Sequence, residues 1–233
     1  MKLILTALIL FSSLLFKGCS ILPDNVAGNF KVAINAFNAL VFGYEDFPIS
    51  RELVEQIPYA SMKMKIGKGP GGLLILESVN NENEYTWTSA DGIFITTKGG
   101  RIISSQGLPN NLTYFDSSEP TFLEVIRQQK TEKYYRYITL DNPSVFDMRI
   151  EVNHKVLGIT KINILGQEIE VTEVLEEIEN SYIRWKYTNR YWVDPKTGFV
   201  WESDQMIAPN IPNISIQVTK KPSVYRGLFY LLY

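Results

Sequence analysis

Ser61-Met62-Lys63-Met64-Lys65-Ile66 is the stretch that decides the fold. Met62, Met64 and Ile66 alternate with Lys63 and Lys65, so an extended chain here has one dry face and one wet face. Upstream the spacing is helical. Ser50 is a good N-cap, Leu53, Val54 and Ile57 share one side, and Pro58 is a stop, which predicts a short helix over residues 50–56. Phe30, Ile34, Phe37, Leu40 and Val41 predict a second short amphipathic helix over 30–41. Downstream, residues 67–72 are a glycine-rich turn. It lacks the Gly-Lys-Ser/Thr ending of a phosphate loop, and no helix pattern follows it.

The period of two then recurs. Strands are expected at 73–79, 84–88, 93–97 and 101–105, with Asp91-Gly92 and Gly99-Gly100 supplying tight hairpins. Residues 110–120 read as a loop. Later strands are expected at 133–140, 146–157, 160–165, 167–177, 183–193, 198–206 and 214–219. At least ten short, mostly antiparallel strands predict an all-β fold, its curved sheets forming a sandwich or a partly open barrel, with one or two short N-terminal helices. Residues 87–106 weakly echo 191–205, each a hairpin with a Gly-containing turn and a Ser-x-Gln ending. Shared hairpin chemistry explains the echo, and so would duplication of a β unit.

Composition narrows the function. The chain has 233 residues, 45% hydrophobic and 21% charged, the balance of a globular protein. A net charge of −2 argues against nucleic-acid binding, which needs a basic face. One Cys excludes an intramolecular disulfide and a thiolate metal site, and one His excludes a zinc site built from several imidazoles. No metal or other cofactor is expected.

The first 18 residues read as a signal peptide. Lys2 is a short positive region, and Leu3 to Phe16 is apolar apart from Thr6, Ser12 and Ser13. That run is shorter than the roughly 20 residues that span a bilayer. Phe16-Lys17-Gly18-Cys19-Ser20 resembles a bacterial lipobox, whose Cys is acylated and becomes the new N-terminus; Phe16 and Lys17 stand where the motif prefers Leu and a small residue. Cys19 is thus the expected lipidation site, 19–29 an acylated tether, and 30–233 a single β-rich periplasmic domain. By the same resemblance Ser20, where Asp would signal inner-membrane retention, implies sorting to the outer membrane. Processing leaves 21 basic against 25 acidic side chains, a net −4.

Catalytic constellations are hard to assemble. His154 shares a strand face with Ile150, Val152 and Val156, and no Gly-x-Ser-x-Gly elbow accompanies it, so a packed or edge histidine is expected. Glu168 and Glu170 alternate with Ile169 and Val171 on the wet side of a strand, while Glu173, Glu176, Glu177 and Glu179 read as a solvated turn. Nothing in the sequence sets two of these acids across a cleft as a glycosidase requires. Asp194-Pro195-Lys196-Thr197-Gly198 is a turn motif: Asp caps, Pro presets φ and Gly takes the left-handed position. Aromatic side chains are the better lead for binding. Tyr134, Arg136, Trp185, Tyr187, Trp192 and Trp201 are candidate contacts for sugar rings or a protein partner, although filling a β core is the commoner use of each aromatic.

Residues 55–65 with Ile57-Pro58-Tyr59-Ala60-Ser61-Met62, residues 87–103, residues 191–206 with Tyr191-Trp192-Val193-Asp194-Pro195-Lys196-Thr197-Gly198, and residues 212–222 together resemble the YjbF/GfcB-type lipoproteins of group 4 capsule and related exopolysaccharide operons. The resemblance implies an outer-membrane lipoprotein, lipid-anchored on the periplasmic face through Cys19. It would be a non-enzymatic accessory of capsule or exopolysaccharide secretion or assembly. Its implied partners are outer-membrane lipid and the polysaccharide or export proteins of the pathway. It assigns no catalytic residues. The hairpin at 191–201 is also similar to that of LolA/LolB-like carriers, and this alternative implies a lipid or lipoprotein carrier with an apolar hollow.

Overall fold

The computed structural model describes residues 46–129, 132–209 and 211–222. The helix expected over 30–41, the signal segment and Cys19 lie outside the described residues.

In chain order the elements are α1 (Arg51–Gln56), β1 (Ser61–Ile66), β2 (Gly72–Val79), β3 (Glu84–Ser89), β4 (Phe94–Lys98), β5 (Arg101–Gln106), β6 (Leu112–Ser117), α2 (Phe122–Gln128), β7 (Tyr134–Asp141), β8 (Ser144–Ile164), β9 (Gln167–Asn180), β10 (Trp185–Val193), β11 (Val200–Gln205) and β12 (Ile214–Lys220). They form one sheet in the order β5-β4-β3-β2-β1-β12-β11-β10-β9-β8-β7-β6. Every described pairing is antiparallel. The first and last strands pair, with Met64 opposite Ile216, which turns two meanders into one continuous ribbon. The ribbon rolls until β5 lies beside β6. There the Leu112 N–H donates to Ser105 Oγ at 2.9 Å, but no backbone ladder between the two strands is described. The result is a nearly closed barrel, which decides between the two architectures expected.

The alternation that opens β1 fills the interior. Met62 and Met64 are buried, as are Leu74, Trp87, Ile138, Ile150 and Ile178 on other strands. Each such side chain contributes about 1.5–3 kcal/mol by leaving water. Where Trp87 carries a polar atom inside, it is matched: Nε1 donates to Thr97 Oγ1 at 3.0 Å.

α1 forms where expected, and its Ser50 hydroxyl accepts from the Leu53 N–H at 3.2 Å. Three expectations need correction. Residues 110–120 are not all loop, because Leu112–Ser117 is β6. A register shift between Leu112 and Tyr114 breaks its alternation, which hid the strand. The strands expected at 146–157 and 160–165 are one strand, β8. It passes through a bulge at Gly158, whose φ of 134° a side chain would resist. Last, α2 was not expected, although its signal is local. Thr121 and Glu124 form a capping box, and Phe122 and Val125 point to the interior.

β7 pairs with β8 only as far as Val152 and β10 with β9 only as far as Thr172, so residues 160–164 of β8 and 167–171 of β9 form a short two-stranded arm. Arg51 of α1 holds its tip, donating from Nη2 to the Ile164 carbonyl at 2.8 Å and from Nε to that of Leu165 at 3.0 Å. The two echoing hairpins meet directly. Gln205 of β11 donates to the Gly100 carbonyl at 2.9 Å and accepts from the Ile102 N–H at 3.1 Å.

Candidate functional site

Four strands each turn a charged side chain into the barrel at a position where the alternation asks for an apolar one. β9 runs Val174, Glu176, Ile178 along its buried face, β8 runs Ile150, Val152, His154, and β7 runs Arg136, Ile138, Leu140. β5 contributes Arg101, and the link from β6 to α2 contributes Glu119. Their side chains are 9% exposed or less.

The groups pair closely. Arg136 grips Glu119 with two parallel bonds, Nε to Oε1 at 2.8 Å and Nη2 to Oε2 at 2.9 Å. Its Nη2 also lies 2.8 Å from Glu176 Oε1. Arg101 Nε donates to the same Glu176 oxygen at 2.9 Å and lies 3.2 Å from Glu119. Asn189 Nδ2 (2.9 Å) and the Tyr191 hydroxyl (3.1 Å) donate to the other Glu176 oxygen. His154 Nε2 is 3.0 Å from Arg101 Nη2, 3.3 Å from Glu119 and 3.6 Å from Glu176. Phe122 of α2 closes one side, its ring centre 4.0 Å from the Arg101 guanidinium carbon.

The electrostatics follow from the pairing. Burial pushes both carboxyls up, but the Arg136 and Arg101 guanidiniums outweigh it and hold Glu119 and Glu176 below the ordinary glutamate value, Glu176 well below. Burial pulls His154 down, yet its hydrogen bonds to Glu119 and Glu176 prevail and raise it. Burial, then the Glu176 charge, pushes the Tyr191 phenol well up, so it stays a donor.

Glu119, His154 and Glu176 offer three ligand atoms within 4.8 Å of one another. The donor set does not fit a divalent cation, because two guanidiniums already neutralise both carboxylates and would lie against the metal. Nor does it fit glycoside hydrolysis: the acids share the same cations, and Glu176 has no exposure at all. The cluster is an internal clasp that joins β5, β7, β8 and β9 to the β6–α2 link.

Sequence reasoning missed this clasp. Glu176 was expected in a solvated turn, but β9 continues to Asn180 and turns it inward. The signal was present, since Val174 and Ile178 flank it at the period of two. His154 is packed, as expected, but as a member of the cluster.

The aromatic candidates do not converge on one surface. Tyr134 is half-buried, its ring tilted against His154 at 5.8 Å. Arg136 is 4% exposed and spent on Glu119 and Glu176, which corrects its reading as a surface contact. Trp185 and Tyr187 pack against the core. Trp192 is half-buried on the face opposite Tyr191 and Val193. Trp201 stands edge-on to Phe199 at 5.0 Å, beside the Asp194 turn. That turn is structural: Asp194 Oδ1 accepts from the N–H groups of Lys196 (2.8 Å) and Thr197 (3.0 Å). Tyr85, Trp87, Phe199 and Trp201 line a cavity of about 80 Å³ at this mouth of the barrel. Cavities that hold drug-sized molecules are about 300–1,000 Å³.

A single antiparallel ribbon rolled to a seam and clasped by a self-neutralised ion cluster defines a β-barrel protein whose interior is occupied by its own side chains. The family described as "Group 4 capsule polysaccharide lipoprotein gfcB, YjbF" matches residues 34–219, and the chain belongs to that family. In Escherichia coli K12 it is similar to the lipoprotein GfcB, 22% identical over 188 residues that span 80% of this chain and 86% of GfcB. It is also similar to the lipoprotein YjbF, 23% identical over 177 residues, 72% of this chain and 78% of YjbF. The crystal structure of the E. coli K12 hypothetical lipoprotein YmcC superposes with a TM-score of 0.68 at 21% identity, covering 81% of this chain and 96% of that one, and shares the fold. No helix among the described residues is long and apolar enough to cross a membrane.

Proposed function

We propose that this chain is a non-enzymatic accessory of capsule or exopolysaccharide secretion, held to the periplasmic face of the outer membrane by acylated Cys19. The observation that carries the non-enzymatic part is the clasp. The one described cluster of carboxylates and imidazole is neutralised by two arginines and its side chains are 9% exposed or less, so neither acid is free to act on a glycosidic bond. The family description supports the pathway. The anchor rests on the lipobox-like segment and on acyl chains that each gain about 0.8 kcal/mol per buried methylene. Trp192, half-buried on the outer face, and Trp201, beside the aromatic cavity, are the aromatic candidates that support a contact with polymer or an export protein. The carrier alternative needs an apolar hollow large enough for an acyl chain; the aromatic cavity is about 80 Å³, and the larger crevice of about 450 Å³ beside β5 and β6 is lined by Glu82, Glu84, Asp116 and Glu119.

The test is surface and cell-retained polysaccharide in the native host with and without the gene. Loss at the surface, restored by wild type and not by Cys19→Ala, supports the anchored role. Normal surface polymer without the gene overturns it.

A further inference from the structure

Alternation along β7 sorts Tyr134-Tyr135-Arg136-Tyr137 by face. Arg136, Ile138 and Leu140 are buried in the barrel, so Tyr135, Tyr137 and Thr139 stand on its outside. The pairing extends that outer face to both neighbours. Asp116 of β6 lies opposite Tyr137, and Tyr137 lies opposite Arg149 of β8. On either side of this row, Tyr114 lies opposite Thr139 and Tyr135 opposite Glu151. Residues paired in register share a face, so these side chains form one grid across three strands. Tyr114 is 52% exposed and Tyr135 39%. The grid is made of rings and polar groups and holds no aliphatic side chain.

The charges in the middle row are unspent. Glu151 is engaged by Lys133 at 3.3 Å, and Arg149 Nη2 lies 3.8 Å from it, too far for a hydrogen bond. The Arg149 guanidinium is instead steadied over the Tyr135 ring at 5.2 Å, and its N–H groups have no acceptor among the described residues. Asp116 is exposed, and neither its carboxylate nor the hydroxyls of Tyr114, Tyr135 and Tyr137 make a hydrogen bond among the described residues. One row thus sets a free carboxylate, a ring and a free guanidinium side by side, the outer two about 10 Å apart at twice the strand spacing.

That order is complementary to one kind of sugar. The hot spots of protein interfaces sit in recesses that exclude water, whereas this is the outer face of a barrel, open to solvent. An aromatic face packs against the C–H groups of a pyranose ring. A carboxylate accepts from sugar hydroxyls, and a guanidinium pairs with a carboxylate. A neutral sugar would leave Arg149 unanswered. A uronic acid carries its carboxylate across the ring from a hydroxyl, which matches the two ends of the row. We infer that the outer face of β6, β7 and β8 binds a uronic-acid residue of an acidic glycan, its ring on Tyr137, its carboxylate on Arg149 and its hydroxyls on Asp116. This gives the capsule reading a sugar class and a surface, and it rests on that reading only for the source of the glycan.

The experiment is an array of uronic-acid polysaccharides, each beside the same polymer with its carboxyls reduced to alcohols, probed with the full-length acylated protein in detergent. Wild type is expected to bind the acidic forms at least tenfold more tightly than the reduced ones. Tyr137→Leu, which keeps an apolar side chain but removes the ring, should lose at least tenfold on the acidic forms. Arg149→Gln should bind both forms equally, and because this is read as a ratio, a lower folded fraction would not mimic it. Tyr59→Leu, an exposed tyrosine on the link from α1 to β1, should bind like wild type. Absence of binding, equal binding of both forms by wild type, full binding by Tyr137→Leu, or a preference kept in Arg149→Gln overturns the inference. If the array is blank while gene loss still removes surface polymer, the sugar site falls and the accessory role stands. The opposite pair of results removes the role and keeps the site.

Discussion

Arg101 Nε lies 2.9 Å from Oε1 of Glu176, a carboxylate with no exposed surface, and the two residues stand 75 positions apart in the chain. The bond runs from β5, at one end of the sheet order, to β9, which is separated from it by seven strands one way round and belongs to the other side of the seam. It therefore does what the missing β5–β6 ladder does not, and ties the edge strand back to the barrel.

Removing one partner of such a pair leaves the other buried without compensation. Glu176→Gln keeps the shape and leaves Arg101 and Arg136 to share Glu119. We expect a loss of about 3–5 kcal/mol, since breaking a buried ion pair typically costs that much. Urea unfolding followed by tryptophan fluorescence measures it. A cost below about 1 kcal/mol would show that the pair adds nothing to the closure.

The same cluster predicts two opposite pH effects. Glu119 and Glu176 are held below the ordinary value of 4.5, so their contribution is complete above that value and is lost as the pH falls through their folded values. His154 is raised above 6.5, so its contribution is complete below that value and is lost as the pH rises through its folded value. The stability gap between wild type and His154→Gln should be widest on the acid side of 6.5 and narrow above it. Urea midpoints across pH 5.5 to 9 would read this, and a gap that grows with pH contradicts the assignment.

Gly100 joins the two echoing hairpins at close range. Its φ is +87°, and an added Cβ would overlap the Val200 side chain. In Gly100→Ala the left-handed backbone should cost about 1–2 kcal/mol, and the overlap a further 1–3 kcal/mol. Adding Val200→Gly, which removes the Val200 Cβ as well as its methyls, should relieve the second part only. A thermal double-mutant cycle separates them, and strictly additive costs would mean that the two residues do not meet.

α2 depends on its cap. Thr121 Oγ1 accepts from the Glu124 N–H at 3.3 Å, and Glu124 accepts from the Thr121 N–H at 2.9 Å. Thr121→Ala should cost about 1 kcal/mol. Hydrogen exchange at the Val125 amide should speed up with it, and unchanged protection there would mean that packing of Phe122 alone orders the turn.

Local rules made much of this legible. The period of two at Met62-Lys63-Met64-Lys65, the Gly99-Gly100 and Asp194–Gly198 turns and the Ser50 cap each depend on neighbours within a few residues, and each appears where expected. β6 escaped because its bulge breaks the alternation, and α2 because seven residues carry less than two turns of pattern. Arg136 was misread because a cation between tyrosines looks like a surface contact until its acceptors are in place.

The sequence by itself determined that this is a β protein with a helix before β1, what family it resembles and where a lipid anchor would attach, because those depend on periodicity, caps and contiguous motifs. Only the tertiary structure decided that the sheet rolls into a barrel, that β5 meets β6 without a described ladder, and that Arg101, Glu119, Arg136, His154 and Glu176 converge. Those residues lie on five separate segments. Their charges are tolerable inside the barrel only once all five are assembled, so no local stretch carries the information that pairs them.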